Sequence, residues 1–241
     1  SGTTVGEIVR NAYGKKSGAV AALVDGEERD FSYILEQDCD IEPILGDTEA
    51  GRYILRHSCA HLLAQAVVEI YPDAQPTIGP PIENGFYYDF KMDPVGDGDL
   101  KKIEKKMQEH IRANHTLTRE EHDNRTLRDM FAGNPFKIEI MNDKIGMDIG
   151  SSAYRQGDFV DLCLGPHVPS TSYLRWFKLT GTSQAYWKGD SSKDSLVRIY
   201  GMCFSSKDEL RERERQIEEA KKRDHKKIGK EMELYMIDEM I

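Results

Sequence analysis

Apolar positions recur at helical spacing from residue 53 to 71, where Ile54, Leu55, His57, Cys59, His61, Leu62, Ala66, Val67 and Ile70 share the pattern and Pro72 ends it. The spacing predicts a long helix there. Near the start, Thr4 followed three residues on by Glu7 reads as a capping box opening a short helix over residues 3–12. Residues 19–24 read as a strand, Asp25-Gly26 as a hairpin turn, and residues 32–35 and 39–45 complete a small α+β unit. The acidic turn at 46–51 reads as a linker. A stretch rich in Gly and Pro, 77–85, leads into a strand-like run at 86–90, and residues 100–113 form a charged amphipathic pattern. Short strands and turns are expected from there to about residue 200. From 207 to 240 Glu, Lys and Arg dominate, with sparse apolar positions, which predicts a long exposed helix acting as a connector.

Composition narrows the function classes. With 241 residues and 39% hydrophobic residues the chain can build a real core. A formal net charge of -9 excludes a uniformly basic nucleic-acid coat, although local basic strips would still bind phosphates. Four cysteines, Cys39, Cys59, Cys163 and Cys203, are too few and scattered for a secreted disulfide scaffold, so a cytoplasmic setting is expected. No apolar run of membrane-spanning length and no secretory signal is visible. No phosphate-binding G-x-x-x-x-G-K-[ST] loop occurs, which argues against nucleotide hydrolysis.

Three of the seven histidines fall in two short segments. In His57-Ser58-Cys59-Ala60-His61 the two imidazoles are one helical turn apart and share a face. In Asp161-Leu162-Cys163-Leu164-Gly165-Pro166-His167 a thiol and an imidazole are four residues apart, with Gly-Pro bending the chain between them. Each pair alone reads as core or surface at least as readily as a site. Together they would supply His57, His61, Cys163 and His167 as four ligands for tetrahedral zinc, so a metal site is one alternative.

These segments, in order with Ile78-Gly79-Pro80-Pro81-Ile82-Glu83-Asn84-Gly85-Phe86-Tyr87-Tyr88-Asp89, Ala185-Tyr186-Trp187-Lys188-Gly189-Asp190 and Arg198-Ile199-Tyr200-Gly201, resemble the editing domain of bacterial-type threonyl-tRNA synthetases. Ala220-Lys221-Lys222-Arg223-Asp224-His225-Lys226-Lys227 is similar to the connector into that family's catalytic domain, and the N-terminal unit is similar to its ubiquitin-like TGS domain. The resemblance implies a TGS-like unit over 1–46, shortened by a strand pair, an α+β editing domain over 47–205 and a connector helix over 206–241. In that editing domain a helix would lie on a curved antiparallel sheet. The family's class II aminoacylation domain would lie beyond this chain, and no activation of threonine is expected from it.

The implied activity is hydrolysis of serine wrongly esterified to threonine tRNA. A missing methylene gives a synthetic site only roughly 10–200-fold discrimination, so a second, hydrolytic pocket is needed. By resemblance His57, His61, Cys163 and His167 frame that pocket, with Lys137, Asp161 and Tyr88 at matching positions. His57 would contact ribose hydroxyls, Lys137 and a histidine would position or deprotonate the water, and Asp161 would hold the substrate ammonium. Tyr88 and backbone at Gly79 would wall the side-chain pocket. No cofactor is expected, zinc at the four His/Cys positions being the alternative. The acceptor end of tRNA is the expected partner. The Lys101, Lys102, Lys105 and Lys106 group reads as a solvated face, while Lys221, Lys222, Arg223, Lys226, Lys227 and Lys230 would suit an acceptor stem. Trp176 and Trp187 are expected in the core rather than stacked on a base. Two other readings compete: the related alanyl-type editing proteins, which use zinc, and a non-catalytic RNA-binding module.

Overall fold

The structure is a computed structural model, and it describes residues 2–14, 17–144 and 152–223. Residues 1–205 form one compact unit and 206–241 a second. The fold class is α+β, with antiparallel pairing in every sheet among the described residues.

At the N-terminus α1 (Val5–Tyr13) carries the expected capping box, in which the Thr4 hydroxyl accepts from Glu7 N–H and Glu7 accepts from Thr4 N–H. A three-stranded sheet follows, β1 (Ala19–Val24), β2 (Glu27–Arg29) and β3 (Ile41–Leu45), with β1 in the centre. Val5, Val9, Ala22, Val24 and Phe31 give this part its own small core. Ile34 makes only an isolated bridge to Thr4 rather than a strand.

The long helix expected around residue 60 is α2 (Glu49–Ile70), capped by the Thr48 hydroxyl. Its middle is buried on every side, from Ser58 to Val67, because it has neighbours all round. On one side lie β6 (Gly85–Lys91) and β11 (Ser195–Phe204). On another lies α3 (Asp97–Ala113), and β1 and β3 also touch it. The larger sheet runs β10 (Trp176–Tyr186), β11, β6, β4 (Gln75–Pro76), with β5 (Pro81–Ile82) pairing on β6. Ile54, Leu55, Leu62, Phe86, Phe90, Ile103, Met107 and Ile199 fill the core between helices and sheet. The register shift between Leu179 and Gly181 marks a bulge in β10, which bends and twists that edge.

The stretch expected to hold only short strands and turns holds two helices as well, α4 (Asn124–Met130) and α5 (Pro135–Lys144). Asp123 caps α4, and Asn134 caps α5 by accepting from the N–H groups of Phe136 and Lys137. Both helices are short, and α5 shows little segregation of apolar residues, so periodicity gave no warning of them. A second sheet of three strands completes this unit, β7 (Leu117–Glu121), β8 (Ser152–Gln156) and β9 (Phe159–Leu162). In the other unit α6 (Lys207–Lys222) is laced by Arg215 with Glu212 and Glu219 at i,i+3 and i,i+4. The rest of the expected connector, 224–241, lies outside the described residues, and with it Lys226, Lys227 and Lys230.

The core strands are joined by one partly buried ion pair. Arg198 on β11 donates two bonds, at 2.7 and 2.8 Å, to the buried Asp89 on β6, and its guanidinium sits 3.8 Å over the Tyr87 ring. Lys91 and Asp194 make a single bond at 2.7 Å where both side chains are about half exposed. Removing one partner of a buried pair leaves an uncompensated charge, costing about 3–5 kcal/mol, whereas exposed pairs contribute about 0–1 kcal/mol. Urea denaturation should therefore show a large loss for Arg198→Ala and a near-zero change for Lys91→Ala.

Candidate functional site

Four elements and one loop converge on a single buried cluster. Helix α2 presents His57 and His61, and the loop after β9 brings Cys163 and His167 against them. The Cys163 Sγ lies 3.2 Å from Nε2 of both His57 and His167. The three imidazoles pack ring to ring, with centroids 4.4 Å apart for His57 and His167 and 4.3 Å for His61 and His167. The loop can make this approach because Gly165 has φ of 75° and stands where any Cβ would fall 1.9 Å from the Tyr154 hydroxyl. The cis peptide at Gly165-Pro166 lies within the same turn.

Beside the cluster is a buried polar triad. Lys137 reaches from the first turn of α5 to Asp161 on β9, Nζ to Oδ1 at 2.5 Å, and also donates to the Tyr88 hydroxyl at 3.0 Å. Tyr88, on β6, donates onward to Asp161 Oδ2 at 2.6 Å. The Leu162 N–H donates to Oδ1 at 2.8 Å, and His61 Nε2 lies 3.9 Å from Oδ2. Lys137 and Asp161 are 3% and 2% exposed, which rules out a solvated strand residue and a surface turn cap respectively. Helix α5 is pinned in place by Phe136 packing edge-on against Trp187 and by the Trp187 indole N–H donating to Glu139 at 2.8 Å. Tyr88 is at once core and site: its ring stacks on Phe90 while its hydroxyl joins the triad. Gly79 lies flat on that ring, where a Cβ would come within 2.1 Å of Tyr88 Cδ2.

Hydrogen bonding fixes the proton positions. The Ser58 hydroxyl donates to Ile54 O at 2.8 Å and accepts from Val168 N–H at 3.0 Å. Its only proton is used, so His167 Nδ1, 2.9 Å away, must be the N–H that donates to Ser58 Oγ. His167 Nε2 then carries a lone pair facing the Cys163 thiol, which donates to it. With the thiol proton used there, His57 Nε2 donates to sulfur, and its Nδ1 is a buried acceptor with no partner among the described residues. Burial pushes the Cys163 thiol up to about 12. Burial, then repulsion from His61, lowers His57 to about 3, and burial lowers His61 to about 4. His167 is lowered well below its ordinary value for the same reason. Burial alone would raise Asp161, but the Lys137 charge, His61 and the bonds from Lys137 and Tyr88 outweigh it and hold the carboxyl low. At neutral pH the cluster is three neutral imidazoles and a thiol beside one fixed ion pair.

This donor set also fits a cation in kind: the four ligand atoms lie within 4.8 Å of one another. Ligands on a tetrahedral zinc stand about 3.3–3.7 Å apart, given bonds of about 2.0–2.3 Å. The 3.2 Å sulfur–nitrogen contacts are near that spacing, and Ser58 supplies an outer partner for His167. Among the described residues no such partner serves His57 Nδ1.

Other expected positions divide. Trp187 is buried in a small core with Phe136 and Leu196, whereas Trp176 is only half-buried and belongs to none of the core clusters among the described residues. Lys102 pairs with Asp99 and Lys106 with Glu69 and Glu109, on a charged helix face. Sequence reasoning missed Ser58, Asn134, Ser152 and Tyr154. Ser152 Oγ donates to Cys163 O at 2.6 Å and fixes the loop. Only Ser58 had a signal: a buried histidine needs a partner for its second nitrogen, and a hydroxyl lies within the HxxxH segment itself.

Residues 152–200 match the family described as the Threonyl and Alanyl tRNA synthetase second additional domain. That match includes Asp161, Cys163 and His167. The chain is 48% identical over 220 residues to a threonine–tRNA ligase of Thermoplasma acidophilum, covering 91% of this chain and 33% of the relative. It is 47% identical to one from Fusobacterium nucleatum, covering 96% and 37%, and 43% identical to one from Staphylococcus epidermidis, covering 100% and 37%. The chain thus spans about a third of the length of the curated relatives it matches. No helix among the described residues is long and apolar enough to cross a membrane.

The depressed histidines make a stability prediction. Below pH 6.5 the unfolded chain binds protons that buried His61 and His167 refuse, so stability falls as pH falls. Each contributes up to about 1.4 kcal/mol per pH unit, for His61 until the folded state itself protonates near pH 4. Asp161, held low, acts in the same sense at more acid pH, and Asp30, raised by burial, opposes them. Denaturation midpoints should drop between pH 6.5 and 4, and His61→Gln should flatten that slope.

Proposed function

We infer that this chain, which belongs to the threonyl-tRNA synthetase family, hydrolyses the ester joining serine to the 3′ end of threonine tRNA. The observation that carries the reading is the meeting of His57, His61, Cys163 and His167 with the Lys137–Asp161 pair in one site. On this reading residues 47–205 are the editing domain, 1–46 a TGS-like unit and 206–241 a connector.

The chemistry asks for an activated water, an anchor for the substrate ammonium and donors for the oxyanion. Asp161 Oδ2 accepts from Tyr88 and faces His61 Nε2 at 3.9 Å, and we assign it as the anchor for the serine ammonium. His57 Nδ1 needs a donor, and a ribose hydroxyl of the terminal nucleotide supplies one. The neutral imidazoles accept from water, and His61 is the better base of the two on α2. Its Nε2 is 3.9 Å from Asp161, whose negative charge favours the imidazolium that forms. Water attacks the ester carbonyl carbon, the developing oxyanion is met by the Lys137 ammonium, and the ester C–O bond breaks. The ribose oxygen leaves as a hydroxyl, taking its proton back from the imidazolium. Tyr88 and Gly79 limit the space for the amino-acid side chain, and an extra methyl there costs about 1–3 kcal/mol.

The decisive experiment incubates the protein with serine-charged and threonine-charged threonine tRNA. The seryl ester should be lost about 10–100-fold faster, the ratio that this methyl cost implies. His61→Ala and Asp161→Asn should lower kcat by about 100-fold or more. Equal loss of both esters, or of neither, would sink the reading in favour of a non-catalytic RNA-binding module. A second measurement addresses the metal: activity should survive exhaustive chelation, and its loss with recovery on added zinc would assign the cluster to a metal instead.

A further inference from the structure

We propose that Asp30, contributed by the N-terminal α+β part, is a positioning residue of this site that sets the Cys163–His167 loop against α2. The proposal rests on the reading of the cluster as an ester-hydrolysing centre. Asp30 follows directly on β2 and is buried, 8% exposed, in a part of the fold with a core of its own. Its carboxylate leaves that part and enters the underside of the site. Oδ1 accepts from the backbone N–H of His167 at 2.7 Å, and Oδ2 accepts from the Tyr154 hydroxyl at 2.5 Å.

Both contacts bear on the same loop. The Tyr154 ring packs edge-on against the His167 imidazole, centroids 4.4 Å apart, and its hydroxyl occupies the space beneath Gly165. One carboxylate thus fixes the main chain of residue 167 and the ring that backs its side chain. Ser58 holds the opposite side of that imidazole through Nδ1, which leaves Nε2 aimed at Cys163. Arg119 steadies the loop further by donating to Leu164 O at 3.4 Å, and both Arg119 and Arg29 lie in the field of Asp30. Burying a carboxylate is a poor way to gain stability, since an apolar residue of like size commonly does as well. Two short bonds directed at one loop point instead to a geometric role. A site needs its groups held to within a fraction of an ångström, and a displacement of about 1 Å costs on the order of 100-fold in rate.

The test uses the full chain with Asp30→Ala, Asp30→Asn, Tyr154→Phe and the Asp30→Ala/Tyr154→Phe double variant. Seryl-tRNA deacylation by Asp30→Ala should show kcat lowered by about 10–100-fold with KM within about twofold. Asp30→Asn keeps an acceptor oxygen for the His167 N–H and should recover most of the rate. The double variant should lose less than the product of the single losses, because both act through one loop. Imidazole nitrogen NMR signals give a readout independent of turnover: those of His167 should shift in Asp30→Ala while those of His110 and His115 stay. A kcat within twofold of the parent together with unmoved His167 signals would overturn the proposal. If Asp30→Ala does not fold, Tyr154→Phe carries the expected loss of kcat and shift of the His167 signals, and Asp30→Asn carries the expected retention. An inactive parent protein would defeat the functional reading alone, and the imidazole signals would then decide the positioning role by themselves.

Discussion

A lysine and a carboxylate buried together, Lys137 and Asp161, are the constraint on which the rest of the site depends. Taking either ion out of water costs several kcal/mol, and their attraction offsets this only when geometry and the remaining hydrogen bonds are satisfied. Here they are: the Tyr88 hydroxyl bridges the pair, and the Leu162 N–H takes another lone pair of the carboxylate. Because the three side chains come from α5, β6 and β9, the pair joins elements that no sheet connects. Its geometry fixes where β9 ends, and so where Cys163 and His167 begin.

The protonation of the cluster follows from the same burial. Burial keeps the imidazoles neutral and the thiol protonated, beside the charges of the Lys137–Asp161 pair. The lone pair of a neutral imidazole accepts hydrogen bonds from hydroxyl groups and from water. The Asp161 charge acts against burial at His57 and His61, since it favours their protonated forms. Of the two histidines on α2, His61 at about 4 is less depressed than His57 at about 3, and His167 is also held well below its ordinary value by burial and by the two other imidazoles.

Legibility in the sequence tracked the range of each interaction. The α2 helix was visible because its apolar spacing is local, and the one-turn separation of His57 and His61 follows from helix geometry alone. That Cys163 and His167 would meet them was legible only through resemblance, since the contact joins residues more than a hundred positions apart. Helix α5 was missed: ten residues with little amphipathic segregation offer no period, and its start depends on the Asn134 side chain. Lys137, expected from the family pattern, could not be seen as buried without that helix. Asp30 left no trace, because nothing in a turn after a three-residue strand announces that its carboxylate is committed to a loop 137 positions away.

Proton accounting also separates the two chemistries open to three imidazoles and a thiol. A cation bound by all four groups needs the thiolate, and burial has pushed that thiol up to about 12, so loading would release a proton against the site's own preference. It would also bring positive charge toward the Lys137 ammonium, which already holds Asp161. On the proposed reading a seryl ester leaves the thiol protonated, although its ammonium also brings positive charge to Asp161. The Cys163 thiol donates to His167 Nε2, the His57 Nε2–H donates to sulfur, and the lone pair at His57 Nδ1 has no donor among the described residues. On the proposed reading a ribose hydroxyl would meet that need with no proton released.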